Sequence, residues 1–397
     1  MTVVDPHPRE AAAQPVLLRR IVVRNLLSFG PEGVDLELGP LNVLIGPNGS
    51  GKSNLLSAIS LLRATPTDLS LFFRQEGAVD DWIWKGNPLG IATLEVDLWR
   101  STGSIHHRIA ISNLHGHLAF IDERIDPDTL AGQIPSSYHY ASGSPVFVAF
   151  DGSRRQLPLG SLQWDQSVLY QVRDPFQFPT LSSVEASYRA IALFREWQLG
   201  RRAAVRDRQP ADLPNSFLIE DLSNLALFLN RIRANPKAKA ALLEHLQALY
   251  DGLDDFDVRV EGGTLQIYFT EGDFTVPAMR LSDGSLRFLC LLAILYDPTP
   301  PALICIEEPE LGLHPDLLHK LADLLVDASQ RCQIIVTTHS DILVDALSEV
   351  PEAVVVCEKS DGQSTMRRLD PIALTPWLEK YRLGRLWSSG HLGGNRW

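Results

Sequence analysis

Apolar and polar residues alternate along the first part of the chain, and this period of two predicts β-strands. The alternation covers residues 20–26 and 34–38, with a Gly-Pro-Glu-Gly turn at 30–33 between them. We expect these two strands to be antiparallel and to lie beside the continuous apolar run at 41–45. Four later strand-like runs, which we expect to form an antiparallel β lobe, cover residues 92–99, 105–112, 117–121 and 146–150.

The spacing of apolar residues changes to a helical period between residues 182 and 250. A polar link at 200–214 separates two stretches with this period. The residues expected to share a helix face are Ala190, Leu193, Phe194 and Trp197 in the first stretch, and Leu225, Phe228, Leu229 and Ile232 in the second. We therefore predict a compact helical insertion, far too short to be a coiled-coil arm of hundreds of residues.

Strands and helices alternate in the last third of the chain. Apolar strand-like runs cover 264–269, 302–306, 333–337 and 353–358, and helical patterns cover 285–296, 315–328 and 340–347. This alternation predicts parallel strands joined by crossover helices. The chain is thus expected to be an α/β protein with a mixed, largely parallel core sheet, an antiparallel β lobe and a helical insertion.

A glycine-rich loop follows the apolar run at 41–45 and precedes a helical pattern at 54–62. Its sequence matches G-x-x-x-x-G-K-[ST], and strand, loop and helix in this order are the setting that the motif requires. Backbone N–H groups of such a loop, with the N-terminus of the next helix, surround phosphate oxygens. The loop consists of Gly46, Pro47, Asn48, Gly49, Ser50, Gly51, Lys52 and Ser53. We expect Lys52 to reach the β and γ phosphates of ATP, and the Ser53 hydroxyl to bind Mg²⁺.

Charged side chains end two of the later apolar runs. Glu307 and Glu308 follow the run at 303–306, and His339 follows the run at 334–336. Ligands collect at the carboxyl edge of an open α/β sheet. We expect Glu307 to hold Mg²⁺ through a water, and Glu308 to be the general base for the water that attacks the γ-phosphate. The neutral His339 ring would hydrogen-bond the phosphate or that water.

A second predicted anion-binding helix start lies at LSDGS, about 230 residues after the glycine-rich loop. Its residues Ser282, Asp283, Gly284 and Ser285 open the helical pattern at 285–296 with a hydroxyl and free N–H groups. One phosphate site within one chain does not need this element. We therefore expect it to cap the γ-phosphate of ATP that is bound to a partner subunit.

Composition is that of a globular protein, with 45% hydrophobic and 21% charged residues among 397. No apolar run approaches the roughly 18 residues needed to span a bilayer. The N-terminal residues lack an apolar signal core and predict a disordered leader at 1–16, so we expect a cytoplasmic protein without membrane association. Cys290, Cys305, Cys332 and Cys357 lie singly in apolar segments, which indicates buried reduced thiols.

The formal net charge of −12 disfavours non-specific nucleic-acid binding over the whole surface. Basic residues are nevertheless clustered in the predicted helical insertion. They are Arg201, Arg202, Arg206, Arg208, Arg231, Arg233, Lys237 and Lys239. Two interpretations stay open, a solvated helix face and a DNA or RNA contact surface.

Together these motifs resemble those of the ATP-binding-cassette ATPases, and within them the branch of SMC, RecF and overcoming-lysogenisation-defect (OLD) proteins. The similar features are Asn54 directly after the phosphate loop, SDGS-L-R at 282–287, EEPELGLHP at 307–315 and TTHS at 337–340. The likeness extends from about residue 17 to 358, and the tail resembles that of stand-alone RecF- or SMC-like ATPases. It places Asn54 among the nucleotide-binding residues.

This resemblance implies a head-to-head homodimer with two ATP molecules at the interface, and a loop at 311–314 exchanged between subunits. It also implies an N-terminal ATPase lobe at 17–180, the helical insertion at 181–252, a C-terminal ATPase lobe at 253–370 and a tail at 371–397. The family expects Asp where this chain has Glu307, and a glutamine near Mg²⁺, for which Gln75, Gln166 and Gln171 are candidates. Phe29 is a candidate for stacking on adenine.

Two functions are compatible with these residues. The first is a dimeric Mg²⁺-dependent ATPase that acts on DNA, in repair or in defence against phage. The second is a nucleotide-gated scaffold that controls an effector protein such as a nuclease or toxin. A nucleotide-binding subunit of a transporter is disfavoured, because SDGS replaces the SGGQ of transporters and because the insertion is long.

Overall fold

The computed structural model describes residues 16–87, 90–100, 103–128, 137–141, 143–149, 151–247 and 252–394. Eighteen strands are found within these ranges and form three sheets. Their bounds are β1 Leu18–Arg24, β2 Val34–Glu37, β3 Leu41–Ile45, β4 Ile91–Arg100, β5 Gly103–Leu114, β6 His117–Pro127, β7 Ser137–Ala141, β8 Ser144–Val148, β9 Arg154–Gln156, β10 Ile191–Phe194, β11 Gln209–Pro210, β12 Asp255–Glu261, β13 Thr264–Glu271, β14 Phe274–Pro277, β15 Leu303–Glu307, β16 Gln333–Thr338, β17 Val354–Ser360 and β18 Gln363–Arg368.

Twelve α-helices lie in the same described ranges, together with short 3₁₀ turns. Their bounds are α1 Lys52–Ala64, α2 Leu69–Glu76, α3 Val79–Trp82, α4 Val168–Gln171, α5 Pro179–Arg189, α6 Leu225–Arg233, α7 Pro236–Gln247, α8 Asp283–Leu295, α9 Asp316–Ala328, α10 Asp341–Ala346, α11 Pro371–Leu378 and α12 Leu383–Ser388. Among the described residues, no helix is both long and apolar enough to cross a bilayer.

The core sheet has the strand order β10-β15-β16-β3-β17-β18. Its first five strands are parallel, and β18 pairs antiparallel with β17 at one edge. All five residues of β3 are buried, as expected for a strand covered on both faces. Val43 and Ile45 belong to the buried cluster that includes helices α6, α8 and α9, whereas Leu44 belongs to the second cluster, which includes α1. The predicted α/β architecture is confirmed.

The antiparallel sheet contains eight strands in the order β2-β1-β4-β5-β6-β7-β8-β9. The predicted strands at 92–99, 105–112 and 117–121 are confirmed, and the fourth lies at Ser144–Val148. The prediction that 20–26 and 34–38 lie beside 41–45 is wrong, because β1 pairs with β2 and β4 instead. Both edges of β3 are already occupied, by β16 and β17.

A third sheet joins β11, β13, β12 and β14, all antiparallel. The strand predicted at 264–269 exists as β13, but its assignment to the series of parallel strands is wrong. Buried residues alternate with partly exposed ones along β13, a pattern typical of an antiparallel sheet with one covered face. The strands of the core sheet near it, such as β15, are instead buried along their length.

The predicted helical insertion contains helices α6 and α7, which are confirmed. The helix predicted through Leu193 and Phe194 is wrong, because these residues belong to β10, an edge strand of the core sheet paired parallel with β15. Four consecutive buried residues suit a strand covered on both faces as well as they suit a buried helix. All four cysteines are buried and free of disulfides, as predicted.

Candidate nucleotide site

The phosphate loop connects β3 to α1 and lies against β17 and β18. Gly46 has φ 150°, and a Cβ atom there would lie 2.2 Å from the carbonyl oxygen of Cys357. Gly51 has φ 101°, and a Cβ atom there would lie 2.3 Å from Ser364 Oγ. Both positions require glycine, because they combine a left-handed backbone with a close neighbour. Contacts with strands β17 and β18 of the core sheet therefore fix the conformation of the phosphate loop.

Lys52 turns back over the loop that precedes it. Its Nζ donates to the carbonyl oxygens of Gly46, at 2.8 Å, and Pro47, at 3.1 Å, and the residue is 5% exposed. Burial lowers the pKa of the Lys52 ammonium, and nearby acidic groups, Glu308 among them, oppose this shift. Phosphate oxygens would supply the counter-charge that such a buried ammonium requires.

Other residues of the phosphate loop present groups that can bind phosphate oxygens. Ser50 Oγ is buried without a hydrogen-bond partner, and the space beside Gly49 is open. Ser53 is exposed at the first turn of α1. Asn54 instead holds the base of the loop, donating to Ser28 Oγ at 2.7 Å. An unsatisfied hydroxyl, an exposed hydroxyl and a helix N-terminus at one loop fit a bound triphosphate.

Glu308 and His339 lie together at the carboxyl edge of the core sheet. His339 Nε2 is 3.3 Å from Glu308 Oε1. Glu308 has φ 46°, a strained value for a residue with a side chain, and its N–H is held by the Thr337 carbonyl oxygen at 3.1 Å. Partial burial lowers the pKa of His339, Lys52 lowers it further, and Glu308 opposes them. The ring is therefore neutral near pH 7 and can accept or donate one proton.

Glu310 was not assigned a role from the sequence, although it lies within the EEPELGLHP motif at 307–315. Its Oε1 accepts hydrogen bonds from Thr338 Oγ1, at 2.7 Å, and from the backbone N–H of His339, at 2.8 Å. Its Oε2 is buried without a partner, and burial raises the pKa of this carboxyl group. Glu310 thus fixes the backbone on which His339 stands.

Glu307 forms an ion pair that the sequence analysis did not anticipate. Arg195, directly after β10, donates from Nε to Glu307 Oε2 at 3.0 Å. The indole N–H of Trp197 donates to the Glu307 carbonyl oxygen at 2.9 Å. The magnesium ligands expected from sequence, the Glu307 carboxylate and the exposed Ser53 hydroxyl, are oxygen donors of the kind that Mg²⁺ prefers. The signal for Arg195 was a short apolar run ended by a charge, IALF-R.

The LSDGS motif begins α8 as predicted, with the helix starting at Asp283. Ser282 is the N-cap, and its Oγ accepts from the backbone N–H of Ser285 at 3.1 Å and lies 2.9 Å from Ser285 Oγ. The Asp283 carboxylate pairs with Arg206 Nη2 at 2.5 Å. Arg206, 7% exposed, also donates to the carbonyl oxygens of Leu199, Met279 and Leu281.

The start of α8 packs against the loop at 311–314. A Cβ atom on Gly284 would lie 2.5 Å from the Gly312 carbonyl oxygen. Arg287, one turn further along α8, donates to the Leu311 carbonyl oxygen, and its guanidinium lies 4.6 Å from the Trp197 ring centre. The structure therefore joins the LSDGS helix to the loop expected at the subunit interface.

The structure distinguishes among the candidates for the glutamine near Mg²⁺ and for the aromatic residue that stacks on adenine. Gln166 bonds to the start of α2 and Gln171 to the 163–167 loop, so both hold the antiparallel lobe. Gln75 lines a cavity of about 680 Å³ that is also lined by Glu307 and Arg195. Gln198 lines the same cavity, although the sequence did not indicate it as a candidate. Phe29 is fully buried, so the prediction that it stacks on adenine is wrong.

Most of the predicted basic cluster is paired with acids. Arg206 is buried, and Arg208, Arg231, Arg233 and Lys239 contact Glu261, Asp297, Asp257 and Asp255. These ion pairs favour the interpretation of a structural, solvated face over that of a nucleic-acid surface. Arg201, Arg202 and Lys237 are exposed.

A parallel core sheet with a phosphate loop, two acidic residues and a histidine at its carboxyl edge defines an ATPase-type nucleotide-binding head. Residues 41–92 and 174–345, more than half of the chain, match the family described as "AAA domain, putative AbiEii toxin, Type IV TA system". The chain therefore belongs to this family. The predicted resemblance to ABC-type ATPases of the SMC, RecF and OLD branch is confirmed.

Two relatives and two solved structures illustrate this similarity. The chain is 24% identical to an OLD nuclease of Thermus scotoductus, over 93% of the chain and 68% of that protein. It is 35% identical over 99 residues to the chromosome partition protein Smc of Desulfitobacterium hafniense, covering 24% of the chain and 8% of Smc. An Smc head bound to the C-winged helix domain of ScpA has a TM-score of 0.58 at 16% identity, over 91% of this chain and 99% of that one. An Smc head with an extended coiled coil, bound to the C-terminal domain of ScpA from Pyrococcus furiosus, has a TM-score of 0.53 at 15% identity, over 92% and 99%.

Proposed function

We propose that the protein binds and hydrolyses ATP with Mg²⁺, and that it does so between two copies of itself. The observation that supports this proposal best is the Glu308–His339 pair, 3.3 Å apart, at the end of strands β15 and β16. Strand β16 is the direct neighbour of β3, with Thr338 opposite Ile45, immediately before the phosphate loop. The candidate general base and the phosphate loop therefore share one sheet edge.

The position of each proposed site residue is compatible with one step of ATP binding or hydrolysis. Lys52 exchanges the carbonyl oxygens of Gly46 and Pro47 for phosphate oxygens when ATP binds. Glu308 accepts the proton of the attacking water, and the neutral His339 ring orients that water or the γ-phosphate. Bound Mg²⁺, held by Ser53 and Glu307, would neutralise charge on the phosphates.

The partner subunit completes the site in this proposal. The capped start of α8 presents N–H groups and the Ser282 hydroxyl at the protein surface, where the exposed Ser282 bonds to the partly exposed Ser285. Leu311 is 50% exposed in the adjoining loop. A helix N-terminus of this kind binds an anion, and we assign to it the γ-phosphate held by the other copy.

Hydrolysis and association are measured together to test this proposal. Wild-type protein should hydrolyse ATP, Lys52→Ala should lose ATP binding, and Glu308→Gln should form a stable dimer in ATP while losing turnover. Ser282→Arg should bind ATP and stay monomeric. Glu349→Gln, a change at an 86% exposed carboxylate, is the matched control and should behave as wild type. A Glu308→Gln protein that stays monomeric in ATP would contradict the two-copy arrangement.

A nucleotide-gated scaffold is the second candidate, because the description of the matching family names a toxin and one relative is a nuclease. In that case ATP binding would control a separate nuclease or toxin rather than drive movement on DNA. The two candidates differ in turnover. Measurable hydrolysis that single- or double-stranded DNA accelerates supports the first candidate, with a role in DNA repair or anti-phage defence. ATP-dependent dimerisation with no turnover, with or without DNA, supports the second.

A further inference from the structure

Arg195 occupies the carboxylate that our proposal assigns to magnesium. Strands β10 and β15 run parallel with Phe194 opposite Ile306, so Arg195 and Glu307 follow at the same level of the sheet. The ion pair joins Arg195 Nε to Glu307 Oε2 at 3.0 Å, and the two side chains are 25% and 18% exposed. A cation of the chain itself therefore already neutralises Glu307.

We infer that Arg195 competes with Mg²⁺ for Glu307 and thereby sets the Mg²⁺ concentration at which the protein binds nucleotide. This inference rests on the proposed function. A largely buried carboxylate without a counter-ion is unfavourable, and Arg195 removes this cost when no metal is bound. Two cations at one carboxylate repel each other, so metal binding requires the guanidinium to move away.

The structure offers the displaced guanidinium a destination. Arg195 lines the cavity of about 680 Å³ beside Glu307, and four further carboxylates line the same cavity, those of Glu76, Glu196, Glu220 and Asp221. A rotation of the Arg195 side chain into this space keeps the cation near negative charge. The backbone can stay in place meanwhile, because Trp197 remains bonded to the Glu307 carbonyl oxygen.

The cavity also contains a matched control for Arg195. Arg63 lines it as well, but pairs with Glu220 at 2.6 Å and not with Glu307. Removing either arginine takes one positive charge from the same cavity. Only the loss of Arg195 frees the proposed magnesium ligand, so a comparison of the two variants separates competition for Glu307 from a general change of charge.

The experiment measures binding of AMP-PNP, a non-hydrolysable ATP analogue, by calorimetry across a series of free Mg²⁺ concentrations. In Arg195→Met the half-saturating Mg²⁺ concentration should fall about tenfold, the size expected for losing one partly buried charged hydrogen bond. Arg63→Met should leave it unchanged within twofold. Affinity for AMP-PNP in EDTA should be the same in all three proteins, because Arg195 does not contact phosphate in this scheme.

Arg195→Gln is a second variant, which tests the inference even if Arg195→Met does not fold. It leaves a neutral donor beside Glu307, and it should also lower the half-saturating Mg²⁺ concentration. Circular dichroism shows whether each variant is folded. An unchanged Mg²⁺ midpoint in the folded Arg195 variants would overturn the inference, and so would a loss of AMP-PNP binding in EDTA, which would make Arg195 a phosphate ligand. Wild-type protein that binds no AMP-PNP at any Mg²⁺ concentration would instead refute the proposed function.

Discussion

Glu310 lies between the proposed base and the proposed phosphate-contacting histidine, and its replacement gives a quantitative prediction. The Oε1 atom accepts from Thr338 Oγ1 and from the His339 N–H, at 2.7 and 2.8 Å. Glu310→Ala removes the one oxygen that accepts both hydrogen bonds, so the exposed His339 N–H loses its protein partner and the Thr338 hydroxyl keeps only the hydrogen bond that it accepts from the Ser340 N–H. Glu310→Gln has nearly the same shape and keeps an oxygen at the Oε1 position.

The two variants should differ by about 3 kcal/mol in unfolding free energy. Each hydrogen bond to a charged acceptor contributes about 1.5 kcal/mol, and Ala loses two of them. Gln keeps both with a neutral acceptor and removes a half-buried charge, so its unfolding free energy should stay within about 1 kcal/mol of wild type. Turnover should fall in Ala because the His339 backbone is no longer held beside Glu308.

Stability should also depend on pH differently in wild type and Glu310→Gln. Burial raises the pKa of Glu310 above its ordinary value of 4.5. The folded protein therefore holds this proton more tightly than the unfolded chain does, and the resulting stabilisation is complete below pH 4.5 and lost as pH rises through the raised pKa. The unfolding free energy of wild type relative to Gln should thus decrease from pH 4.5 upward.

Urea unfolding followed by circular dichroism, at pH 7 and at steps down to pH 4.5, measures both effects. Glu349→Ala, at an exposed carboxylate, is the control and should unfold as wild type does. Equal stability of Glu310→Ala and Glu310→Gln at pH 7 would refute the reasoning, because the two hydrogen bonds would then contribute nothing measurable.

Two further substitutions and one pH profile test other contacts. Gly284→Ala places a Cβ about 2.5 Å from the Gly312 carbonyl oxygen, and should prevent ATP-dependent dimerisation in ultracentrifugation while leaving ATP binding intact. Arg206→Met should lower the unfolding free energy by about 3 kcal/mol in urea, because it removes four hydrogen bonds, whereas Arg208→Met at an exposed pair should change it little. Since partial burial lowers the pKa of His339 from 6.5, kcat should persist below pH 6.5, and a half-loss above that pH would contradict a neutral ring.

Contiguous motifs were predictable because their geometry is local. The phosphate loop needs glycines at 46 and 51, a strand before it and a helix after it, and each of these is visible in one short stretch. Ser282 was likewise recognisable as a helix cap from its neighbours. Glu308 and His339 could be placed at one sheet edge because each ends a buried apolar run.

Contacts between distant segments were not predictable in the same way. The apolar run at 191–194 allowed a helix or a strand, and only its pairing with β15 decides the matter. Arg195 lies beside Glu307 only because β10 pairs with β15, and a helix over these residues does not predict that contact. Likewise, the pairing of β1 with β4 depends on both edges of β3 being occupied, which no local pattern indicates.

The residues around Glu307 and those at the start of α8 are connected within one chain. Trp197 bonds to the Glu307 carbonyl oxygen and lies 4.6 Å from the guanidinium of Arg287, which in turn donates to the Leu311 carbonyl oxygen. A movement of Arg195 away from Glu307 occurs two residues from this Trp197 contact. The contacts of Trp197 and Arg287 thus form a continuous series of packed groups from Glu307 to the loop at 311–314. In the proposed dimer, the site that receives magnesium in one copy is therefore connected by direct contacts to the surface that this copy offers its partner.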